Sequence, residues 1–347
     1  MAVAGCRMQE IYILEIKVIE MEKWKIDIPV FMIFFNRPDS FAKVFEAVRQ
    51  AKPSKLFLAC DGPRAGRGDE ENIAKCQEIA ANIDWECEVH QNYSDVNLGC
   101  GMRMYSGLSW AFEHVDRVIV LEDDCVPHQD FFPFCQELLE KYKDDERIGS
   151  VCGMNHLEVY EKAPADYFFG QNCCWGGATW KSRWDAVDFQ MDFLDEPYYV
   201  DCVASLFPYR KDAWKTGNVR REKLRRGERL SAWTYQHGMA IALNNRISII
   251  PKKNLITNIG LTEDSTHAVN SKKKMARKIT AYFDIPTYSY EFPLNHPKYI
   301  VEDRMYYKAV RDKFHMTFWD RLEDKARRII FSDKGEVLKM IKKKLCK

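Results

Sequence analysis

Residues 117–132 read RVIVLEDDCVPHQDFF, and this stretch decides how the rest of the chain is read. Val118, Ile119, Val120 and Leu121 form a short apolar run, three of them β-branched, with the pattern of a buried parallel strand. The run stops on Glu122, Asp123 and Asp124. Three carboxylates at the end of a buried strand are costly unless a cation or ligand hydroxyls satisfy them. In open α/β sheets ligands collect beyond the carboxyl ends of strands. Hard oxygen ligands there suit Mg²⁺ or Mn²⁺ carrying a phosphorylated substrate. The plainer reading is a solvated acidic turn before Pro127.

Upstream of this stretch, strand-like and helix-like segments alternate. Residues 29–35 (PVFMIFF) have strand composition, and NRPD follows as a turn. Asp39 or Ser40 can cap a helix whose apolar positions Phe41, Val44, Phe45 and Val48 recur at helical spacing. Residues 56–60 form a second strand ending on Asp61-Gly62-Pro63. A polar helix over about 70–82 leads to a strand near 87–90, then the turn NLGCG (97–101) and a helix through Trp110 and Phe112. The acidic strand and a helix over about 130–142 complete a βαβαβαβα series. That alternation predicts a doubly wound, mostly parallel sheet. Three of its strands deliver polar groups to one edge: Asn36 and Arg37, then Asp61, then the acidic trio.

The chain has 347 residues, 46% of them hydrophobic, enough for one large domain or two smaller ones. Its net charge of +1 argues against a dedicated nucleic-acid binder, which would carry a basic excess. The twelve cysteines lack metal-finger spacing, and Cys60 and Cys152 lie in apolar runs as buried thiols do. A reducing, cytoplasmic compartment is the expectation. No apolar run approaches the roughly 20 residues of a membrane span.

Taken in order, strand–NRPD, strand–CDGP, NLGCG and LEDDC-P-FF resemble the glycosyltransferases of the GT-A fold. More narrowly, they resemble bacterial nucleotide-diphospho-sugar transferases related to N-acetylglucosaminyltransferase I. The resemblance covers about residues 28–267 and continues through WGGATW (175–180) and NLITNIG (254–260). It implies a Rossmann-like nucleotide-sugar half over 28–160 and an acceptor half over 161–270. It also implies Arg37 and Asp61 at the nucleotide base and ribose, Asp123 at ribose or sugar hydroxyls, and Glu122 beside the sugar. Asp124 would ligate a divalent cation, Mn²⁺ or Mg²⁺, that bridges the diphosphate, with His267 as a second ligand. Trp175, Gly176, Gly177, Trp180 and Trp233 would lie by the sugar and acceptor. An aromatic face stacks on a sugar ring and paired glycines admit close backbone approach; either tryptophan reads equally well as core.

One expected part is missing. The resembled family carries an acidic general base after a tryptophan at a helix start, and here that place reads Trp233-Thr234-Tyr235. Neither Thr234 nor Tyr235 is a credible base near neutral pH. Glu228 or His237 serves instead, or the protein holds a donor without turning it over, or the motif is displaced. Residues 220–229 (RREKLRRGER) are basic, as a solvated helix face is, or as a seat for a diphosphate or anionic acceptor would be.

Residues 1–27 carry no functional signal. After 271 the composition shifts to a basic, proline-containing linker, and residues 335–347 form an amphipathic helix lined with lysines. That helix suits an anionic membrane surface or ordinary docking. The expected function is metal-dependent transfer of a sugar from a nucleotide-diphosphate donor, a uridine one, to a glycan or lipid-linked acceptor, with inversion. The alternatives are a silent nucleotide-sugar-binding protein and a sugar-phosphate nucleotidyltransferase; NRPDSF lacks the glycine-rich phosphate loop of the latter.

Overall fold

The computed structural model describes residues 26–171, 175–206, 210–261 and 275–331. The N-terminal extension up to residue 25, His267 and the basic helix expected over 335–347 lie outside the described residues.

Strand β1 (Val30–Phe34) leads into α1 (Pro38–Ala51), β2 (Lys55–Cys60), α2 (Glu70–Ala81), β3 (Glu88–Tyr93), α3 (Cys100–Ala111) and β4 (Arg117–Glu122). Short β5 (Cys125–Pro127), α4 (Phe131–Lys141), β6 (Ile148–Cys152) and β7 (Tyr167–Gly170) come next. They are followed by β8 (Gly177–Trp180), α5 (Lys181–Trp184), α6 (Pro197–Leu206), α7 (Arg210–Arg225), α8 (Thr234–Leu243), β9 (Ile247–Pro251) and β10 (Ile256–Asn258). Among the described residues eight strands form one sheet in the order β3-β2-β1-β4-β8-β6-β9-β7, and β5 pairs with β10 apart from it. Only β8 and β7 run against the others, so the sheet is mostly parallel, as the alternation predicts.

Successive side chains of β1 point to opposite faces. Val30, Met32 and Phe34 meet Phe41, Val44 and Phe45 of α1 and the apolar face of α4. Phe31 and Ile33 meet Met104 and Leu108 of α3, with Trp184 and Ala240 of α5 and α8. Helices therefore cover both faces. Phe34 and Phe41 stack at 4.3 Å between ring centroids, both almost fully buried, which ties α1 to its strand. Loss of either ring costs about 3–5 kcal/mol.

The chain runs outward from β1 to β2 and β3, then returns to lay β4 on the other side of β1. That reversal makes a crevice beyond the carboxyl ends of β1 and β4, the place where such sheets bind ligands. Ile33 pairs in register with Glu122, so the acidic trio and the turn after β1 share this crevice.

Two features depart from the sequence reading. The WGGATW segment supplies β8, inserted antiparallel between β4 and β6. Trp180 is consequently a core residue, 4% exposed, with its Nε1–H donated to the Leu139 carbonyl and Arg183 over its ring; no face is left for a sugar. The region after 271 is more than a linker. Its prolines Pro286, Pro293 and Pro297 do lie in a stretch without helix or strand, but α9 (Arg277–Thr280), α10 (Arg304–Phe314) and α11 (Phe318–Ile330) accompany it.

Candidate functional site

Pro38 occupies the first turn of α1, where its fixed φ and missing N–H are tolerated, and this starts the helix two residues earlier than an Asp39 cap would. Arg37 becomes the residue at the helix mouth, without a side-chain cap, and its guanidinium turns into the crevice. Nη1 lies 2.9 Å from Asp124 Oδ2 and 3.7 Å from Asp123 Oδ1. Asp123 also accepts from the Phe35 N–H at 3.2 Å, which ties the end of β1 to the end of β4.

Asp124 is held from behind by the β5–β10 ladder. Asn258, opposite Cys125 in that ladder, donates its Nδ2–H to Asp124 Oδ1 at 3.2 Å, and the Ile259 N–H binds the Asp124 carbonyl at 2.8 Å. Gly260 completes the cradle: a Cβ there would stand 2.0 Å from Asp124 Oδ2. Asn258 and Gly260 were missing from the candidate residues. The sequence signal was present in NLITNIG, whose polar Asn258 lies in an apolar run, but nothing local says which acid it meets.

Three carboxylates thus face one arginine. Burial, then the charges of Asp124 and Asp123, push Glu122 up to about 8. Burial pushes Asp123 up to about 6 against the pull of Arg37, with Asp124 adding to the rise. Glu122 also lines a small niche of about 30 Å³ shared with Trp175, Trp184, Trp233 and His237. The Trp233 indole N–H is buried there without a hydrogen bond meeting ordinary geometry, and its dipole favours ionised Glu122. Buried His237 packs at 5.2 Å from Trp233, and its burial pulls it down to about 4, so it stands neutral.

Asp61 sits on the opposite wall. Its Oδ1 accepts from the N–H groups of Gly62 and Leu98, and its Oδ2 accepts from Gly99 N–H and Asn97 Nδ2. Four donors fill the acceptor capacity of a carboxylate. Asp61 therefore clamps the 97–99 loop. Gly99, at φ +77°, carries the left-handed turn of that loop, and the Arg229 stem packs on it while Arg229 Nη1 donates to Asn97 Oδ1 at 2.9 Å.

These groups line one cleft of about 480 Å³, walled also by Trp175, Phe283 and Leu230. Trp175 and Gly176 both have positive φ, +76° and +74°, which turns the Trp175 ring into the cleft mouth against Phe283. Such a backbone is costly for a tryptophan and belongs where a side chain must be aimed.

The remaining expected residues lie elsewhere. Thr234 and Tyr235 open onto a second cavity, away from the acidic cleft. Glu228 is exposed and paired with Arg226 at 3.0 Å, outside both. Gly177 lies in β8, at the edge of the niche.

Among the described residues no three His, Cys, Asp or Glu side chains form a metal cluster. The donor set nevertheless fits Mg²⁺ or Mn²⁺ bound jointly with a diphosphate. Such ions take one or two carboxylates from the protein and complete their shell with substrate oxygens and water. Half-buried, under-neutralised Asp123 and Asp124 supply that number.

No protein-family model matches the chain, and no curated protein matches it. Among solved structures, a similar one is the mannosyltransferase PcManGT from Pyrobaculum calidifontis in complex with GDP-Man and Mn²⁺. It is 14% identical, with a TM-score of 0.32, over 45% of this chain and 44% of that one. The match spans under half of either chain, and a likeness of that size assigns neither family nor activity. Among the described residues no helix is long and apolar enough to cross a membrane.

Proposed function

We propose that the protein is a metal-dependent glycosyltransferase that takes a nucleotide-diphosphate sugar in the acidic cleft. The observation that carries this reading is the Glu122–Asp123–Asp124 run, half-buried at the sheet's switch point and opposed by Arg37 as its close cation. A solvated acidic turn would have no crevice of ligand size and no arginine drawn into it.

In this reading Asp124, aligned by Asn258 and Gly260, holds the cation with the diphosphate, and His267 is its proposed partner. A divalent ion bound there supplies Lewis-acid neutralisation of the departing nucleoside diphosphate. Arg37, released from the carboxylates, turns to the nucleotide. Asp123 accepts from ribose or sugar hydroxyls through charge-assisted hydrogen bonds. Asp61 acts on the nucleotide indirectly, by fixing the 97–99 wall. Glu122 reaches the sugar, and Trp175 offers its face to the ring.

The test is a panel of nucleotide sugars, uridine and guanosine donors included, titrated with Mn²⁺ against wild-type and Asp124→Ala protein, with release of nucleoside diphosphate followed alongside. Metal-dependent binding or hydrolysis of one donor, lost in Asp124→Ala, supports the proposal and names the sugar. If no donor binds, the cleft is no nucleotide-sugar site and the proposal fails.

A second reading, a silent nucleotide-sugar-binding protein, is favoured by one observation: Thr234 and Tyr235 face a different cavity, so the expected base position contributes nothing to the cleft. Donor binding without turnover, across glycan and lipid-linked acceptors, would select it.

A further inference from the structure

The second cavity has about 540 Å³ of space and lies along one side of α8, between that helix, β9 and the start of α10. Its size falls in the range of small-molecule sites. Three arginines line it, and their partners differ. Arg246 is paired with Glu146 at 2.7 Å and Arg304 with Glu302 at 3.1 Å. Arg220 is half-buried, yet among the described residues no carboxylate comes within ion-pair distance of it. It donates to the Ala232 carbonyl at 3.0 Å and lies 5.4 Å from the centre of the Tyr235 ring. Burial lowers its pKa, the mark of a cation held without a counter-charge. A desolvated guanidinium is expensive until an anion completes it.

The helix beside it breaks a local rule. Gly238 stands in the interior of α8, where glycine costs about 1 kcal/mol relative to alanine. No steric need accounts for it, because a Cβ at Gly238 would meet nothing within 4 Å. Gly238 lines the cavity, so its missing side chain is a notch in the wall. The same helix begins at Thr234 with no side chain capping its first N–H groups, which adds positive potential at the end near Arg220. Tyr235 and Tyr307 supply aromatic surface to the lining. An uncompensated cation, a helix notch and aromatic walls around one cavity fit a ring compound with a single anionic group.

We propose that this cavity binds a sugar-sized ligand bearing a carboxylate or a phosphate, with Arg220 anchoring the anion and the Gly238 notch seating the ring. The site is separate from the acidic cleft and does not depend on the donor reading.

The test is calorimetric titration of the full chain with glucuronate, glucose 6-phosphate, glucose and inorganic phosphate. Binding of glucuronate or glucose 6-phosphate at least tenfold tighter than both glucose and inorganic phosphate is expected, and which of the two binds identifies the anion. Arg220→Gln should weaken that binding tenfold or more, Arg220→Lys less. Gly238→Leu, whose side chain enters open space and leaves the melting temperature at or above wild type, should abolish it. Asp124→Ala should bind as wild type does. Equal affinity for glucose, equal affinity for inorganic phosphate, no binding by either anionic sugar, or wild-type binding by Gly238→Leu would each overturn the proposal. So would loss of binding in Asp124→Ala, which would put the anion in the acidic cleft.

Discussion

Replacing Arg37 by glutamine puts the charge balance of the cleft to a direct test. Its Nη1 sits 2.9 Å from Asp124 and 3.7 Å from Asp123, and its side chain is 10% exposed. At an effective dielectric near 20, contacts at these distances are worth about 4–6 kcal/mol each before desolvation. Burial of the three groups offsets most of that gain, but removing one partner leaves the carboxylates buried and unbalanced, which costs about 3 kcal/mol. In a chain of 347 residues that lowers the melting temperature by about 4 °C. The same substitution should make the site a better cation trap, because a divalent ion no longer has to displace the guanidinium. Melting curves of wild type and Arg37→Gln across a Mn²⁺ titration, without nucleotide, read both effects. The variant should recover most of its loss at saturating Mn²⁺, with an apparent Kd at least tenfold lower than wild type. Equal stabilisation of both proteins by Mn²⁺ would refute the idea that arginine and metal compete for one set of carboxylates. An unchanged melting temperature would refute the claim that the pair matters to the fold.

Three further outcomes follow from the same geometry. Gly260→Ala pushes a Cβ to within 2.0 Å of Asp124 Oδ2, so Asp124 must turn and lose its Arg37 and Asn258 contacts; metal-dependent donor affinity, read by calorimetry, should fall ten- to a hundredfold with the fold intact. Asp61→Asn turns acceptors toward the N–H groups of Leu98 and Gly99 into a mixed amide; it should cost about 2 kcal/mol in thermal or urea unfolding and speed amide exchange in the 97–99 loop above all. His237 is held neutral, with its pKa down at about 4, so the unfolded chain binds a proton the folded chain refuses. Stability should therefore fall as the pH drops below about 6.5 and stop falling near 4, by about 3 kcal/mol in all; His237→Gln should flatten that part of the pH profile, and an unaltered slope would show that other groups set it.

The first half of the fold was legible because each of its elements announces itself locally. Alternating strand runs and helical periodicities from Val30 to Lys141 lie in chain order, and right-handed crossovers leave few ways to arrange them. The second half was harder because its ladder is non-local. A four-residue strand with a leading glycine, Gly177–Trp180, carries little strand signal by itself. Only its place between β4 and β6 makes it one, and that place buries Trp180 rather than offering it to a ligand. Asn258 meets Asp124 across 134 residues through the β5–β10 pair, a contact no local pattern encodes.

The same limit explains the base motif. In sequence Trp233 and Thr234 are neighbours and invite one assignment, but they flank the start of a helix. One residue there is a turn of about 100° around the helix axis, so adjacent side chains can serve different cavities. Trp233 falls beside Glu122 in the niche, whereas Thr234 opens onto the cavity with Arg220. An acid at position 234 would accordingly point at the second cavity and away from the trio. A Thr234→Asp substitution is then no route to activity in the acidic cleft. What that helix start separates is a cleft in which three carboxylates crowd around Arg37 from a cavity in which Arg220 meets no carboxylate among the described residues. The first calls for a cation and the second for an anion, and neither requirement is visible in the order of residues along the chain.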